Sequence, residues 1–305
     1  MVNVAIIGGS GFIGTATCKE LISSGYSVTV LDIKRPRIPV DNVVYRIVDV
    51  NNYIDTLQAL SSTSIDCVYM LAAVSDAYEN VREPLKSINI NLVGLTNVLQ
   101  AMSVLKIPRI IFSSTVWVYS TSELTYVNED TDLSITKSDH IYTTSKLTGE
   151  ALIRHYHSMT GIDYTILRYG IAYGPGCHPD TILSKFMTNA INNEPLVVTG
   201  NGSIYRNFLN VRDHAHGNLL AMCESARNQI INLEGPEKIT LTRVAERVND
   251  LHGNVNIIYT DQRPGDYTGK IVSNRKSKEL LGWVPNISFD TGTAEMYEHI
   301  KARYR

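Results

Sequence analysis

A chain of 305 residues, 44% hydrophobic and 19% charged, has the make-up of an ordinary globular protein with one large α/β domain or two smaller ones. Its formal net charge of −2 offers nothing to a polyanion such as nucleic acid. The four cysteines (Cys18, Cys67, Cys177, Cys223) are too scattered for a metal set or a disulfide framework, which predicts reduced thiols in a cytoplasmic protein; no signal peptide and no apolar run near the ~20 residues of a membrane helix is expected.

Residues 4–7 form a short apolar run, as expected of a parallel strand buried on both faces. Gly8, Gly11 and Gly14 follow, and a helical pattern over 12–24 ends at Gly25. Strand, glycine-rich turn and helix in that order make an anion cradle. The turn needs backbone angles that suit glycine, and the helix start, with Phe12 and Ile13, presents unpaired N–H groups to a pyrophosphate. Gly14 lets the helix pack close to the strand, so the context is that of a dinucleotide loop. A second strand over 27–31 is closed by Asp32, about 20 residues past the glycines, where an acid accepts hydrogen bonds from an adenosine ribose. Its charge would repel a 2′-phosphate, which favours NAD over NADP. Lys34 and Arg35 just behind it are of the kind that holds such a phosphate.

Residues 43–48 read as a third strand, with Asp49 and Val50 past its end, where an Asp can bind an adenine amino group. A fourth strand over 66–70 runs into Leu71, Ala72 and Ala73, against which a flat cofactor could lie. Helical periodicity over 85–104 includes Asn91, and 109–112 and 164–167 read as further strands. This alternation predicts a Rossmann-type, doubly wound parallel sheet. From Arg168 the texture changes. Residues 169–176 are rich in turn formers, and helices are expected over 182–192, 211–223, 240–251, 276–281 and 291–302, with strands over 196–198, 230–233 and 255–259. The expected organisation is a dinucleotide-binding domain over 1–167 with a return segment about 204–228. A smaller, discontinuous α/β substrate-binding lobe takes 168–203 and 229–305.

The chemistry-bearing constellation is Thr115, after the fifth strand, with Tyr142 and Lys146, which at i and i+4 share one helix face. Positive charge favours a phenolate, so Lys146 is expected to lower the pKa of Tyr142 and to hold the nicotinamide ribose. Thr115 can bond the same substrate oxygen. Together they can move a proton to and from a substrate alcohol while NAD takes the carbon-bound hydride. His140, His214 and His216 form no metal set, and no metal is expected.

With these residues the chain resembles the extended short-chain dehydrogenase/reductases, in particular the nucleotide-sugar epimerase/dehydratase family typified by UDP-galactose 4-epimerase. The resemblance runs through Gly8-x-x-Gly11-x-x-Gly14, Phe112-Ser113-Ser114-Thr115-x-x-Val118-Tyr119 and Tyr142-x-x-x-Lys146. Leu167-Arg168-Tyr169, Tyr173-Gly174-Pro175-Gly176, Arg206-Asn207-Phe208, Arg263-Pro264-Gly265-Asp266 and Leu281-Gly282-Trp283-x-Pro285 follow in the family's order. It implies that Asp32, Asp49, Val50, Leu71, Ala73, Asn91, Tyr142 and Lys146 contact NAD. Phe12, Ile13, Ala72, Ser113 and Tyr169 complete the expected cofactor set. It implies that Arg206 and Arg263 bind the substrate diphosphate, as guanidinium forks suit phosphate oxygens. Ser75, Asp76 and Tyr173 are expected to line the sugar pocket.

The departures narrow the reaction. Ile171 stands where many relatives carry an Asn that helps hold the sugar diphosphate, and Met70 where many carry His. Val116 and Trp117 occupy the positions of the Asp-Glu pair of 4,6-dehydratases, and the decarboxylating relatives usually have Glu at the place of Trp117. Neither residue can act as acid or base. The reading is therefore NAD-dependent C4 epimerisation of a nucleotide-diphosphate sugar. A dehydratase, decarboxylase or reductase on the same fold is the alternative, and a non-catalytic NAD(P)-binding regulator is the remote one. The resemblance also implies a homodimer, pairing the helix over 85–104 with the Tyr142 helix across a two-fold axis, with no nucleic acid or membrane partner.

Overall fold

A computed structural model of the chain describes residues 2–261 and 269–304. The first half runs β1 (Asn3–Ile7), α1 (Phe12–Ser23), β2 (Ser27–Asp32), β3 (Val43–Ile47), α2 (Tyr53–Ser61), β4 (Cys67–Met70), α3 (Ala77–Arg82), α4 (Pro84–Ile88), a π-turn segment (Asn89–Gly94), α5 (Leu95–Leu105), β5 (Arg109–Thr115), a 3₁₀ segment (Val116–Thr121), β6 (Tyr126–Val127), α6 (Ile141–Thr160) and β7 (Asp163–Tyr169). The second half runs β8 (Ile171–Tyr173), α7 (Ile182–Ile191), β9 (Leu196–Thr199), β10 (Tyr205–Arg206), β11 (Phe208–Asn210), α8 (Val211–Leu220), β12 (Gln229–Leu233), β13 (Ile239–Thr240), α9 (Leu241–His252), β14 (Ile257–Thr260), β15 (Ile271–Val272), α10 (Arg275–Leu281) and α11 (Phe289–Lys301).

Seven strands form one parallel sheet in the order β12-β7-β5-β4-β1-β2-β3. Every residue of β5 is buried, as the continuous run of a central strand covered on both faces requires. One face of the sheet packs on α2, α5 and α6 through Leu60, Leu95, Leu99, Met102 and Ile153. The other packs on α1 and α8, with Trp283 filling the gap beside Leu21 and Leu233. A separate core around Phe186, Met187, Val198, Val244, Phe289 and Met296 holds the lobe together.

Two sequence expectations are corrected here. Gln229–Leu233 does not belong to the lobe: β12 pairs with β7 and completes the large sheet, and Trp283, just past α10, is buried in the same core. Its apolar run is a sheet-edge strand recruited from beyond the lobe. Second, α4, the π turn and α5 join into one 22-residue helical rod, Pro84–Leu105, with a mean hydropathy of 1.4. That is long and apolar enough to span a bilayer by length and composition. Leu95, Val98, Leu99 and Met102 nevertheless lie in the core against the sheet, and Leu85, Val93 and Val104 face outward.

Candidate active site

The expected site gathers at the C-terminal edge of the sheet, where β1, β4 and β5 release their loops. Gly8 has φ +81°, and a Cβ on it would lie 2.6 Å from the Ala72 nitrogen. A Cβ on Gly14 would lie 2.5 Å from the Gly8 carbonyl, so helix and loop touch backbone to backbone. Asp32 pins this loop: its Oδ2 accepts from Ser10 N at 3.0 Å and its Oδ1 from Lys34 N at 3.2 Å. Gly11 caps α1 without a side-chain hydrogen bond and no acid occupies the first turn. The buried Ser10 Oγ has no partner among the described residues. Uncapped N–H groups, an unfilled hydroxyl and a loop that admits no Cβ at Gly8 or Gly14 fit a dinucleotide pyrophosphate.

Asp49 is exposed, its Oδ1 accepting from Asn51 N at 2.9 Å. Leu71, Ala72 and Ala73 are half-buried next to Gly8. Three further expected cofactor residues are engaged with the protein itself. The Val50 side chain lies in the core against Gly94, and its carbonyl accepts from Asn97 Nδ2 at 2.8 Å. Asn91 spends its amide on the protein, accepting from Val74 N (2.8 Å) and donating to Val74 O (3.1 Å) and Ser145 Oγ (3.0 Å). It braces the loop after β4 against α6. The Tyr169 hydroxyl is buried and donates to Asn218 Oδ1.

Tyr142 and Lys146 lie on one face of α6, toward the end of β5. Thr115 Oγ1 accepts from Trp117 N at 3.2 Å. Lys146 Nζ donates to the Ser113 carbonyl at 2.5 Å, 4.7 Å from the centre of the Phe112 ring and 5.8 Å from that of Tyr142. The Ser113 hydroxyl bonds the Met70 carbonyl at 3.0 Å, tying β4 to the lysine's anchor.

The charges are not arranged as the sequence suggests. Burial brings Lys146 down to about 7, Glu150 on the next turn acting against the shift. Burial pushes the Tyr142 phenol up to about 12, the nearby Thr115 side chain acting the other way. The expectation that Lys146 lowers the phenol is thus corrected for the protein alone: desolvation governs both groups.

Behind the lysine lies a polar network that sequence reading missed. Glu150 takes a two-pronged grip from Arg168 (Nη2–Oε2 2.7 Å, Nε–Oε1 3.0 Å) and a hydrogen bond from Ser114 at 2.5 Å. Arg168 also donates to Tyr119, whose hydroxyl donates to Asn232. Glu150 stands four residues after Lys146 on the same face, a spacing that could have exposed it.

On the lobe side, Arg206 is half-buried and lines a small cleft with Trp117, Ile171, Asn207, Glu234 and Lys270. Arg263 lies outside the described residues. Ser75 is exposed, and Asp76 caps α3 through Glu79 N. Tyr173 is corrected: it does not line the pocket but packs with Phe208 and Phe289 in the lobe core, its hydroxyl donating to the Ser288 carbonyl.

A family model described as the NAD dependent epimerase/dehydratase family matches residues 4–233. The chain belongs to that family. The UDP-glucose 4-epimerase of Thermotoga maritima, solved with UDP-glucose, superposes with a TM-score of 0.93 at 25% identity, over 100% of both chains. The UDP-glucose 4-epimerase of Lacticaseibacillus casei is 28% identical over 93% of this chain and 92% of its own. The UDP-N-acetyl-alpha-D-glucosaminuronate decarboxylase of Bacillus cytotoxicus is 27% identical over 95% of each. The family is NAD-dependent, and the geometry of the Gly8–Gly14 loop fits a dinucleotide pyrophosphate.

Proposed function

We propose that this chain epimerises a nucleotide-diphosphate sugar at C4 through a 4-keto sugar, with NAD as its cofactor. The observation that carries the reading is the anchoring of Lys146 on the Ser113 carbonyl, two residues before Thr115 at the end of β5, with the Tyr142 ring 5.8 Å away on the same helix face. A substrate oxygen placed between the Thr115 and Tyr142 hydroxyls can lose its proton to Tyr142 and recover it from the same atom. Thr115 holds that oxygen in line. Lys146, anchored on the Ser113 carbonyl, is placed to hold the ribose hydroxyls of the cofactor. When bound, NAD supplies the hydride acceptor and donor, and the positive charge of its ring favours the phenolate. The family's epimerases named above support the substrate class, and UDP-glucose is the first sugar nucleotide to test. The decarboxylase relative favours a second reading, against which stand Val116 and Trp117, neither able to act as acid or base. Product of unchanged mass separates epimerase from decarboxylase.

Tyr142→Phe, which keeps the ring and removes the proton carrier, should cut turnover of UDP-glucose by roughly 10²–10⁴-fold while NAD stays bound. Full turnover in that variant overturns the reading. The proposal includes a homodimer through the Pro84–Leu105 rod and α6, whose Leu85, Val93, Val104 and Met159 are exposed apolar side chains. It also includes a cytoplasmic setting, in keeping with four unpaired cysteines.

A further inference from the structure

Glu234, directly after β12, is only 4% exposed. Its backbone is held on both sides by Asn274 (Glu234 N to Oδ1 3.0 Å, Nδ2 to Glu234 O 2.8 Å). Its Oε1 accepts from Gly235 N at 2.8 Å and rests against Gly170, where a Cβ would strike it. Among the described residues no group bonds Oε2, and no cation pairs with the carboxyl. Burial pushes the acid up to about 8, the Gly235 hydrogen bond acting the other way, so at neutral pH it is protonated and carries a donor.

The side chain lines the cleft that runs from Val116 and Trp117, just past Thr115, to Arg206. Ile171 and Val272 are its apolar walls. Arg206 from β10 and Lys270 before β15 are its charged groups among the described residues. The elements around Glu234 contribute Gly170, Asn207, Val116, Trp117 and Asn274, none titratable. A buried acid without a counter-charge weakens a fold and marks a binding position.

We propose that Glu234 is a substrate-binding residue that hydrogen-bonds a hydroxyl of the sugar, on the stretch between its diphosphate and its reacting carbon, and selects for sugars bearing a hydroxyl there. This rests on the epimerase reading above. A protonated carboxyl donates and accepts, as a sugar hydroxyl does. Its Oε1 lies against Gly170, next in the chain to Ile171, whose side chain offers no polar group.

Calorimetric titration of the NAD-loaded protein with UDP-glucose and with UDP tests it. Glu234→Leu should weaken UDP-glucose about tenfold or more and leave UDP unchanged, because UDP lacks the sugar. Glu234→Gln keeps a donor and should bind UDP-glucose within about threefold of the parent at pH 7. Between pH 7 and 9 the parent's affinity for UDP-glucose should fall as the acid ionises beside an anionic ligand, and that of Glu234→Gln should not. Unchanged UDP-glucose affinity in Glu234→Leu, equal losses for UDP-glucose and UDP, or matching pH profiles of parent and Glu234→Gln each overturn the inference. None of those results touches the Tyr142→Phe turnover on which the epimerase reading stands.

Discussion

His214 on α8 shows what one side chain contributes to pH response. It is fully buried, both ring nitrogens lack a partner among the described residues, and Tyr169 stands edge-on at 4.9 Å. Burial holds it down to about 3, against an ordinary 6.5. Below 6.5 the unfolded chain takes up a proton there that the folded chain refuses. This contribution to stability is full above 6.5 and is lost as pH falls toward 3. His214→Leu should make the loss between pH 6.5 and 4 shallower in urea denaturation. At pH 7.5 it should be neutral or gain about 1 kcal/mol, since an unsatisfied N–H disappears. An acid limb as steep as the parent's would refute this. At this scale spacing put Tyr142 and Lys146 on one helix face, and Thr115 was read from its place after the fifth strand; the structure has all three at the end of β5 and on α6. The charge states of the pair were not legible, because they follow from desolvation, and spacing says nothing of water. Tyr173 misled for a similar reason: its motif places the backbone, whereas two phenylalanines distant in the chain decide where the ring goes.

The glycine loop and α1 are a unit in which each part fixes the other. A Cβ on Gly14 meets backbone on two sides, 2.5 Å from Gly8 O and 2.6 Å from Gly9 Cα, and neither can step aside. Gly11, with φ −76°, would meet only Gly8 O at 3.3 Å. Gly14→Ala should therefore cost roughly 1–3 kcal/mol of stability by overpacking and weaken NAD binding about tenfold or more. Gly11→Ala should fold and bind NAD much as the parent does. Equal effects of the two, measured by thermal melts and NAD fluorescence titration, would show that close packing is not what the loop requires. The main strands and helices could be read from the chain because their apolar runs repeat over a full element. The pairs β6–β15 and β10–β13, two residues each, could not. So short a segment carries no periodicity, and its partner lies far along the chain.

For the whole molecule, the outward face of the Pro84–Leu105 rod is the feature to probe. Leu85 is 78% exposed and Val93 43%, on a rod whose other side is core. Leu85→Glu/Val93→Glu should convert a dimer to a monomer in sedimentation equilibrium without lowering the melting temperature measured at low protein concentration. A parent protein that sediments as a monomer at micromolar concentration would refute the assembly. The change of texture at Arg168 lies near the end of β7, after which the chain enters the core around Phe186, Met187 and Phe289. The ownership of Gln229–Leu233 was not legible, because strand pattern does not reveal which sheet a strand joins. That late strand also sets a timetable for synthesis. Until residue 233 has left the ribosome, β7 is a bare parallel edge, open to pairing with any extended chain nearby. A nascent polypeptide stopped in the lobe would therefore hold an unfinished sheet, and chaperone occupancy should persist until β12 docks.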